Sequence, residues 1–248
     1  MRVVLIIPTY NEAQNIAEIV PRAVAALPDA EIRIVDDSSP DGTADVVREL
    51  QQTYAQISLS VRPAKTGLGS AYVETFADLV RRDDVDAVCT MDADFSHSPD
   101  VLPSLVAALA THDLVVGSRY VSGGEIECWQ AWRRVLSGVG NVYASAVAGV
   151  PIRDLTSGLV AFRRTILAAV DLSRISSSGY AYTIESKCLA VAAGGRAIEI
   201  PISFGERRRG RSKIDLATIR EGVIAPWRMR RLSERPLADG VPPEQPGL

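Results

Sequence analysis

The chain has 248 residues, of which 47% are hydrophobic and 23% are charged, and its formal net charge at pH 7 is −3. A chain of this length and apolar content can bury one sizeable core, so we expect one domain. Three widely spaced cysteines, without a C-x-x-C or Cys/His cluster, argue against a disulfide framework and a zinc site. The first residues lead straight into an apolar run and lack a signal-peptide cleavage site, so we expect a cytoplasmic protein.

Apolar runs alternate with helical patterns through the first half of the chain. The predicted strands cover residues 3–8, 31–36, 57–62, 86–91 and 113–118. The predicted helices between them cover residues 12–27, 43–54, 68–82 and 100–110. Alternation of this kind predicts an α/β fold with a mostly parallel central sheet and helices on both faces.

The pattern changes after the fifth predicted strand. A glycine-containing loop at residues 122–124 is followed by an uncharged stretch at residues 135–152. This stretch predicts a helix that is buried or lies at an interface, because Asn141 and several hydroxyl groups make it too polar for a bilayer span. The remaining predicted elements are two strands, at residues 159–163 and 196–204, and a helix between them at residues 183–193.

The C-terminal part of the chain is first basic and then rich in proline. Residues 196–235 hold eleven Lys and Arg against five Asp and Glu, in a chain that is acidic overall. Such a segment indicates an anionic substrate or a membrane surface, although a solvated helix face would explain the final arginines equally well. Residues 236–248 are expected to be a disordered tail, which leaves one domain over residues 1–235.

Asp92 and Asp94 follow the fourth predicted strand and are the strongest functional signal in the chain. Residues i and i+2 of a strand share a face, so both carboxylates are expected at the strand's carboxyl end, where open α/β sheets bind ligands. Two such charges repel unless a cation lies between them. A hard divalent cation that also binds a diphosphate is the expected occupant. The alternative is a pair of loop aspartates that cap the helix starting near Pro99.

Acidic and aromatic side chains also follow the first two predicted strands. Tyr10 would suit stacking on a base and Glu12 hydrogen bonds to base or sugar, while Asp36 and Asp37 end the second strand. Taken alone, each segment is more typical of a turn that starts a helix. Neither loop holds a glycine-rich phosphate-binding motif. The three strand ends together therefore predict a nucleoside-diphosphate site that depends on a cation.

Cationic side chains that suit phosphate groups come later in the chain. Arg119 ends the fifth predicted strand, while Arg133 and Ser137 share a helix face through their i, i+4 spacing. Arg207 and Lys213 belong to a glycine-containing basic loop, and the planar fork of arginine suits phosphate oxygens. Singly, each is typical of a surface charge. Together they predict one anion site for a leaving diphosphate and another for an anionic acceptor.

Eight short motifs follow one another along the chain. They are P-T-Y-N-E at Pro8, V-D-D-x-S-P-D-G-T at Val35, G-L-G at Gly67, M-D-A-D-x-x-H at Met91, G-S-R-Y at Gly117, W-x-x-x-R-x-x-x-S at Trp129, D-x-T-S-G at Asp154 and F-x-x-R-x-x-G-x-S-K at Phe204. Their order resembles that of the polyprenol-phosphate (dolichol-phosphate) mannose synthases, which are inverting glycosyltransferases of the GT-A fold. The resemblance covers residues 3–213. It implies a single Rossmann-like GT-A domain that transfers mannose from GDP-mannose to a polyprenyl phosphate with inversion.

The resemblance also implies roles for individual residues. Those expected at the guanosine are Pro8, Tyr10, Glu12, Val35 and Asp37. Those expected at the diphosphate and at a Mg²⁺ or Mn²⁺ ion are Asp92, Ala93 and Asp94, with Ser96 at the position where some relatives carry a glutamine ligand. Those expected at the donor phosphates are Arg207 and Lys213. Those expected at the lipid phosphate, and acting with Asp94 in catalysis, are Arg119, Arg133 and Ser137.

Two alternative functions stay open. Tyr10, Glu12 and Asp37 do not distinguish guanine from uracil, so one alternative is an enzyme that transfers glucose or another sugar from a UDP donor to a polyprenyl phosphate. The other is a non-catalytic subunit that binds a nucleotide sugar or a lipid phosphate. The complete set of acidic and basic residues argues against this second alternative.

A lipid acceptor implies contact with a membrane. We expect peripheral contact with the cytoplasmic face through Trp129, Trp132, residues 135–152 and the basic C-terminal segment, or through a membrane-protein partner. No nucleic-acid partner is expected. These expectations follow from the resemblance and from the charge distribution described above.

No dedicated general base is predicted for the transfer, because a phosphate acceptor is already ionised at neutral pH. His97 lies beside the acidic pair in the sequence, and we expect it to make a structural hydrogen bond rather than to act as a base. Asp154 and Glu185 are further candidates for binding sugar hydroxyls or for ordering loops, of which the second role is favoured.

Overall fold

The computed structural model describes residues 1–127, 129–177, 179–205 and 216–233. Within these ranges, a seven-stranded sheet and a two-stranded sheet are formed. In chain order the strands are β1 (Val3–Thr9), β2 (Glu31–Asp36), β3 (Ile57–Val61), β4 (Ala87–Thr90), β5 (Leu114–Ser118), β6 (Glu125–Ile126), β7 (Val160–Arg163), β8 (Ala197–Pro201) and β9 (Ser203–Phe204).

The large sheet has the strand order β3-β2-β1-β4-β7-β5-β8. Its strands run parallel except β7, which is antiparallel to both β4 and β5. After β1, the strands β2 and β3 are added on one side of β1, whereas β4 and the later strands of this sheet are added on its other side. The strand order therefore reverses between β1 and β4. Open α/β sheets bind their ligands at such a switch point, beyond the carboxyl ends of the strands. In the small sheet, β6 pairs in parallel with β9.

Helices cover both faces of the large sheet. In chain order they are α1 (Ala13–Ala26), α2 (Thr43–Thr53), α3 (Leu68–Leu79), α4 (Leu102–Ala108), α5 (Ala131–Ala148), α6 (Arg164–Ala169), α7 (Tyr182–Ala192) and α8 (Leu216–Ser233). Single turns of 3₁₀ helix lie at Pro99–Val101 and Leu172–Arg174. The helix α1 packs with α2 and α4 on one face, whereas α7 packs with α6 and α8 on the other.

The strand residues alternate between two cores, one on each face of the large sheet. In β1, Val4 and Ile6 belong to the core that contains α3 and α7, where Tyr72 stacks on Tyr182 with ring centroids 4.5 Å apart. Leu5 belongs to the opposite core, which contains α1 and α4. Because both faces are covered, the strand forms a continuous apolar run in the sequence. Burial of each Leu or Ile side chain stabilises the fold by about 1.5–3 kcal/mol.

The predicted α/β class is confirmed, with a mostly parallel sheet and helices on both faces. The prediction of one strand over residues 196–204 is wrong, because the chain leaves the large sheet after β8. Ile202 is buried between β8 and β9, and its N–H donates to the carbonyl oxygen of Ser118 at 3.0 Å. The strand β9 then pairs with β6, which the pattern did not predict. The predicted tail at residues 236–248 lies outside the described residues.

The uncharged stretch forms most of α5, but the helix spans Ala131–Ala148 rather than residues 135–152. It ends at Gly149, whose φ of 69° is left-handed, a conformation that glycine adopts without strain. The buried residues of α5 are Asn141, Ala144 and Ala148. None of the helices in the described ranges is long and apolar enough to cross a membrane.

Candidate active site

The carboxyl ends of three parallel strands meet at the switch point of the large sheet. Pro8 in β1 lies opposite Val35 in β2, and Ile6 in β1 lies opposite Thr90 in β4. The residues that follow these strands therefore share one edge of the sheet. The strand β5 runs in the same direction as β4, since β7 is antiparallel to both, so Arg119 follows β5 at this edge as well.

Asp92 and Asp94 lie in a tight turn rather than in a strand. Because β4 ends at Thr90, the strand alternation that predicted a shared face does not apply to them. The turn itself holds Asp94, since Phe95 has a left-handed φ of 64° and the N–H of Ser96 donates to Asp94 Oδ1 at 3.0 Å. Asp94 is buried and Asp92 is half-buried. The turn therefore orients the Asp94 carboxylate at the carboxyl end of β4, and Asp92 lies between this strand and Asp94 in the chain.

Asp92 lies against Gly158, in the loop that precedes β7. A Cβ atom at position 158 would lie 3.1 Å from Asp92 Oδ2 and 3.4 Å from Oδ1. The shorter of these distances is less than an ordinary van der Waals contact, so any side chain at position 158 would crowd the carboxylate. The glycine thus keeps open the space that the Asp92 carboxylate occupies.

The oxygen donors at this turn suit a hard divalent cation. The carboxylates of Asp92 and Asp94, with the nearby hydroxyl of Ser96, are the ligand type that Mg²⁺ and Mn²⁺ prefer. Across the residues that the structure describes, no group of three or more His, Cys, Asp and Glu side chains is arranged to hold a metal ion. A bound cation would therefore complete its coordination with diphosphate oxygens or water. The donor set fits a metal that is shared with a substrate.

The predicted nucleotide-binding residues after β1 are held by contacts within the protein. The ammonium of Lys65 lies 3.7 Å from the ring centroid of Tyr10. Glu12 accepts a hydrogen bond from Asn15 Nδ2 at 2.7 Å. Pro8 lies in β1, one residue before the strand ends, and is partly exposed. Tyr10 and Glu12 are therefore supported at the carboxyl end of β1.

The predicted nucleotide-binding residues of β2 differ in where their side chains lie. Asp37 is buried, and its carboxylate accepts from Arg62 Nη1 at 2.7 Å and from the N–H of Gly67 at 3.0 Å. These bonds connect the end of β2 to the start of α3. The side chain of Val35 lies in the hydrophobic core. A nucleotide contact from Val35 would therefore come from its backbone.

Arg119 and Asp154 form a buried, bidentate ion pair at the end of β5. Arg119 Nε and Nη2 donate to Asp154 Oδ2 and Oδ1 at 2.8 and 2.6 Å, and Nη2 also donates to Thr156 Oγ1 at 2.7 Å. Burial alone would raise the pKa of Asp154, but the Arg119 guanidinium outweighs burial and the pKa lies below its ordinary value. Asp154 is thus ionised. The third guanidinium nitrogen of Arg119, Nη1, makes no hydrogen bond among the described contacts.

The structure brings Arg119, Arg133 and Ser137 together around two aromatic rings. The hydroxyl of Tyr120 donates to Ser137 Oγ at 2.8 Å, and its ring centroid lies 5.4 Å from Arg119 Cζ. The ring centroid of Trp129 lies 4.2 Å from Arg133 Cζ and 5.9 Å from Arg119 Cζ. These distances allow cation–π attraction. We call Arg119, Arg133 and Ser137 the acceptor cluster.

Three residues that support the acceptor cluster were not predicted from the sequence. Asn141 Nδ2 donates to Thr156 Oγ1 at 3.0 Å, and Asn141 Oδ1 accepts from the Thr156 N–H at 3.1 Å. Lys187 is fully buried and donates to two carbonyl oxygens of the loop before β7. The ring centroid of Phe204 lies 4.9 Å from Arg119 Cζ. A polar Asn141 within an uncharged stretch, and Lys187 as the one cation of α7, were signals that could have found two of them.

His97 is buried but does not make the hydrogen bond that we expected. Within the described residues neither ring nitrogen has a partner, and the ring packs edge-on against Phe204 with centroids 5.2 Å apart. Burial lowers the pKa of His97 to about 4, so the ring is neutral near pH 7. A neutral ring packed against Phe204 fits a structural role.

The predicted donor-phosphate residues Arg207 and Lys213 lie outside the described residues. The described chain that precedes them ends at Gly205, whose N–H donates to the carbonyl oxygen of Ser96 at 3.0 Å. A bridge between His97 and Phe204 lies beside this bond. The chain that leads to Arg207 is therefore tied to the turn that holds Asp94.

Glu185 orders a loop rather than facing the site. Its fully buried carboxylate accepts from the N–H groups of Ser176 and Ser177 at 3.1 and 3.0 Å. It also forms an ion pair with Arg228 of α8. These contacts fix α8 against α7 and agree with the favoured role of Glu185 in loop order.

Comparison with known proteins gives both a family and close relatives. Residues 4–170 match the family model described as glycosyl transferase family 2. The chain is 41% identical to a polyprenol monophosphomannose synthase from Mycolicibacterium smegmatis, over 94% of this chain and 89% of that protein. It is 38% identical to an undecaprenyl-phosphate mannosyltransferase from Micrococcus luteus, over 90% of this chain and 92% of that protein.

A solved structure shares the fold at lower sequence identity. It is the glucosyl-3-phosphoglycerate synthase from Mycobacterium tuberculosis, in complex with Mn²⁺, uridine diphosphate and glucosyl-3-phosphoglycerate. The TM-score is 0.63 at 20% identity, and the match covers 92% of this chain and 79% of that one. At this level of identity the match shows a common fold.

Proposed function

The chain belongs to glycosyl transferase family 2 and has the GT-A type of fold, and we propose that it transfers mannose from GDP-mannose to a polyprenyl phosphate. The transfer inverts the anomeric carbon and yields polyprenyl-phosphate mannose and GDP. The two mannosyl-transferring relatives support this, because they align with 94% and 90% of the chain. The observation that carries the proposal is the acceptor cluster, which lies at the same sheet edge as the turn of Asp92 and Asp94.

On the donor side, the ends of β1, β2 and β4 would bind GDP-mannose. Tyr10, Glu12 and Asp37 would contact the nucleotide, and Asp92 and Asp94 would hold a Mg²⁺ or Mn²⁺ ion. Such an ion, when bound, supplies positive charge that stabilises the departing diphosphate. The hydrogen bond from the Ser96 N–H to Asp94 orients this carboxylate before the donor binds.

On the acceptor side, Arg119, Arg133 and Ser137 would bind the lipid phosphate. Asp154 occupies two nitrogens of Arg119 and so fixes the direction in which Nη1 points. Donor and acceptor are both anions that repel each other, so the cationic side chains contribute positioning as well as charge. The acceptor phosphate is ionised at neutral pH and attacks the anomeric carbon without loss of a proton, which leaves no step for a general base.

We further propose that the protein contacts the cytoplasmic face of the membrane peripherally, through α5 and α8. The large apolar side chains of these helices that are 47–70% exposed are Trp132, Val135, Leu136, Val139, Val142, Val223, Ile224 and Trp227. We call this set the α5–α8 apolar surface. Tyr143 of α5 donates to the carbonyl oxygen of Val223 at 3.0 Å and accepts from Trp227 Nε1 at 2.8 Å, which holds the two helices together.

Two further observations support membrane contact. Part of the α5–α8 apolar surface lies on α5, the helix that carries Arg133 and Ser137, so a membrane on this surface would present lipid phosphates near the acceptor cluster. Arg134, Arg230 and Arg231 are exposed on the same two helices and would face anionic headgroups. A membrane-protein partner that covers the same surface is the alternative, and vesicle binding by the purified protein distinguishes the two.

A transfer assay with the purified chain tests the proposed function. Radiolabelled GDP-mannose and UDP-glucose are offered separately with a short polyprenyl phosphate, and product extracted into organic solvent is measured with Mg²⁺, with Mn²⁺ and with chelator. We expect transfer from GDP-mannose that requires a divalent cation. Transfer from UDP-glucose alone would favour the first alternative from the sequence. Binding of GDP-mannose without transfer under any condition would favour the non-catalytic subunit.

A further inference from the structure

Lys187 is a fully buried lysine whose partners are backbone carbonyl groups. Its Nζ donates to the carbonyl oxygens of Leu155 and Ser157, both at 2.7 Å. Removing an ammonium group from water is unfavourable unless strong partners replace the water. Burial lowers the pKa of Lys187 to about 7. Both bonds persist on deprotonation, because a neutral amine still carries two N–H groups.

The two carbonyl groups belong to residues 154–158, which touch both halves of the candidate site. We call these residues the bridge loop. Near its start, the side chains of Asp154 and Thr156 bind the guanidinium of Arg119. At its end, Gly158 lies against the carboxylate of Asp92. If the bridge loop moved, Arg119 would therefore be the first residue of the acceptor cluster whose position changes.

The contacts of the bridge loop alternate along the chain. The side chains at positions 154 and 156 face Arg119, whereas the carbonyl oxygens at positions 155 and 157 face α7, where Lys187 lies. Thr183, one turn earlier on α7, also donates to the carbonyl oxygen of Leu155 at 3.2 Å. The same hydroxyl donates to the carbonyl oxygen of Tyr180 at the shorter distance of 2.9 Å. Lys187 is thus the α7 side chain that binds both middle carbonyl groups of the loop, while Glu199 and Thr90 bind its two ends.

We propose that Lys187 is a positioning residue that holds the bridge loop so that Arg119 presents its guanidinium to the acceptor phosphate. The inference rests on the proposed function, because it takes the acceptor cluster as the site of a lipid phosphate. Lys187 contacts no substrate and acts through Asp154 and Thr156. Displacing a reacting group by about 1 Å can lower a rate by about a hundredfold, so a support of this kind affects transfer directly.

The test compares Lys187→Met, which removes both N–H donors, with Lys187→Gln, which keeps two N–H donors on one nitrogen. Binding of farnesyl phosphate and of GDP is measured by calorimetry, and KM is measured for each substrate. For Lys187→Met we expect farnesyl phosphate binding to weaken about tenfold or more, while GDP binding changes less than about twofold. We expect Lys187→Gln to recover part of the lost acceptor affinity.

Ser186→Ala is the matched control on the same helix. Ser186 is buried next to Lys187, but its hydroxyl donates to the carbonyl oxygen of Thr183 within α7 and not to the bridge loop. We expect unchanged affinity for both ligands. A merely structural Lys187 would instead lower the amount of active protein and leave both KM values as in the wild type. That result, or equal weakening of both ligands by Lys187→Met, overturns the proposal.

A further variant and a wild-type measurement keep the proposal testable. If Lys187→Met does not fold, Thr183→Val removes a lesser support of the same loop, and we expect acceptor KM to rise by about threefold. An unchanged acceptor KM in that variant overturns the proposal. A wild-type protein that binds farnesyl phosphate but transfers no mannose contradicts the proposed function alone, since the binding comparison of the Lys187 variants still applies.

Discussion

The donor side and the acceptor side of the site are built in different ways. On the donor side, Asp94 is held by a local contact, the bond from the Ser96 N–H, although Asp37 is held by Arg62 and Gly67 from farther along the chain. On the acceptor side, Arg119 after β5 depends on Asp154 and Thr156 before β7, and these depend on α5 and α7. The turn of Asp94 is thus assembled locally, whereas the acceptor side is assembled by contacts between distant segments.

The two sides also differ in how their charges are balanced. Asp92 and Asp94 are like charges close together in the chain, and such charges repel each other unless a cation lies between them. Arg119 and Asp154 balance each other inside the protein, so the fold depends on both. Substitution of Asp94 should therefore lower activity with a smaller effect on stability than a break in the buried pair of Arg119 and Asp154.

The largest expected effect is that of Asp94→Asn, which removes the charge but keeps an oxygen that can accept from the Ser96 N–H. We expect turnover to fall about 10³-fold, which is about 4 kcal/mol of lost transition-state stabilisation. The free energy of unfolding should change by less than about 1 kcal/mol. Turnover is measured with GDP-mannose and a saturating divalent cation, and stability by urea unfolding.

Asp100→Asn is the control for this variant, because Asp100 is exposed and follows the same turn. It should leave both turnover and stability near the wild-type values. Normal cation-dependent turnover in Asp94→Asn would show that the Asp94 charge is not required at the metal and diphosphate. It would also break the comparison, since the donor side would then not depend on its carboxylate charge.

The second effect is expected in stability. Asp154→Asn leaves the buried guanidinium of Arg119 without its counter-charge, and breaking such a pair lowers the free energy of unfolding by about 3 kcal/mol. Asp45→Asn breaks the exposed pair between Asp45 and Arg48 and should lower it by less than about 1 kcal/mol. Urea unfolding of both variants measures the difference. Equal losses would show that the acceptor side does not depend on its buried charges.

The donor side could largely be predicted from the sequence because its information is local. Apolar runs predicted β1, β2 and β4, and the acidic residues after them identified the correct edge of the sheet. The prediction placed the end of β4 one residue too late and extended its alternation onto Asp92 and Asp94. The orientation of Asp94 comes from the turn with a left-handed backbone at Phe95, which no pattern of apolar residues indicates.

The acceptor side could be predicted only in part. Helical spacing correctly joined Arg133 to Ser137, because i and i+4 share a face within one helix. The pairing of Arg119 with Asp154 arises because β7 enters the sheet antiparallel between β4 and β5 and brings the preceding loop to Arg119. No spacing in the sequence encodes that insertion. Lys187 and Asn141 were missed as well, although Lys187 is the one cation of α7 and Asn141 is polar within an uncharged stretch.

The third prediction tests the acceptor cluster itself. Arg133→Ala removes a guanidinium that stacks on Trp129 but forms no ion pair among the described contacts. A hydrogen bond to a charged group is worth about 1.5–3 kcal/mol, so we expect the KM for farnesyl phosphate to rise by at least about tenfold. The KM for GDP-mannose should stay near its wild-type value. Steady-state kinetics with each substrate varied in turn measure both.

Arg134→Ala provides the control, since Arg134 is the next residue of α5 and is exposed. It removes the same charge from the same helix at a position outside the acceptor cluster. Equal increases of acceptor KM in both variants would indicate a general electrostatic effect of α5. An increase of acceptor KM confined to Arg133→Ala would sharpen the comparison of donor side and acceptor side. It would show that an acceptor-side residue outside the buried pair controls substrate affinity.

The smallest effect is expected at the α5–α8 apolar surface. Val139→Glu places a charge among exposed apolar side chains and should weaken binding to anionic phospholipid vesicles by about fivefold, since a single charge near such a surface is worth about 1 kcal/mol. Turnover of farnesyl phosphate in detergent should not change. Vesicle co-sedimentation measures the binding, and the same assay on Val61→Glu is the control.

Val61 is a suitable control because it is an exposed valine on β3, on a different element from α5 and α8. Both variants add the same charge and lose the same apolar side chain, so a general effect of net charge on vesicle binding would appear in both. Weaker binding in Val139→Glu alone would assign membrane contact to the helix that carries Arg133 and Ser137. Equal vesicle binding by both variants and the wild type would show that this surface does not contact the membrane, and would favour a protein partner there.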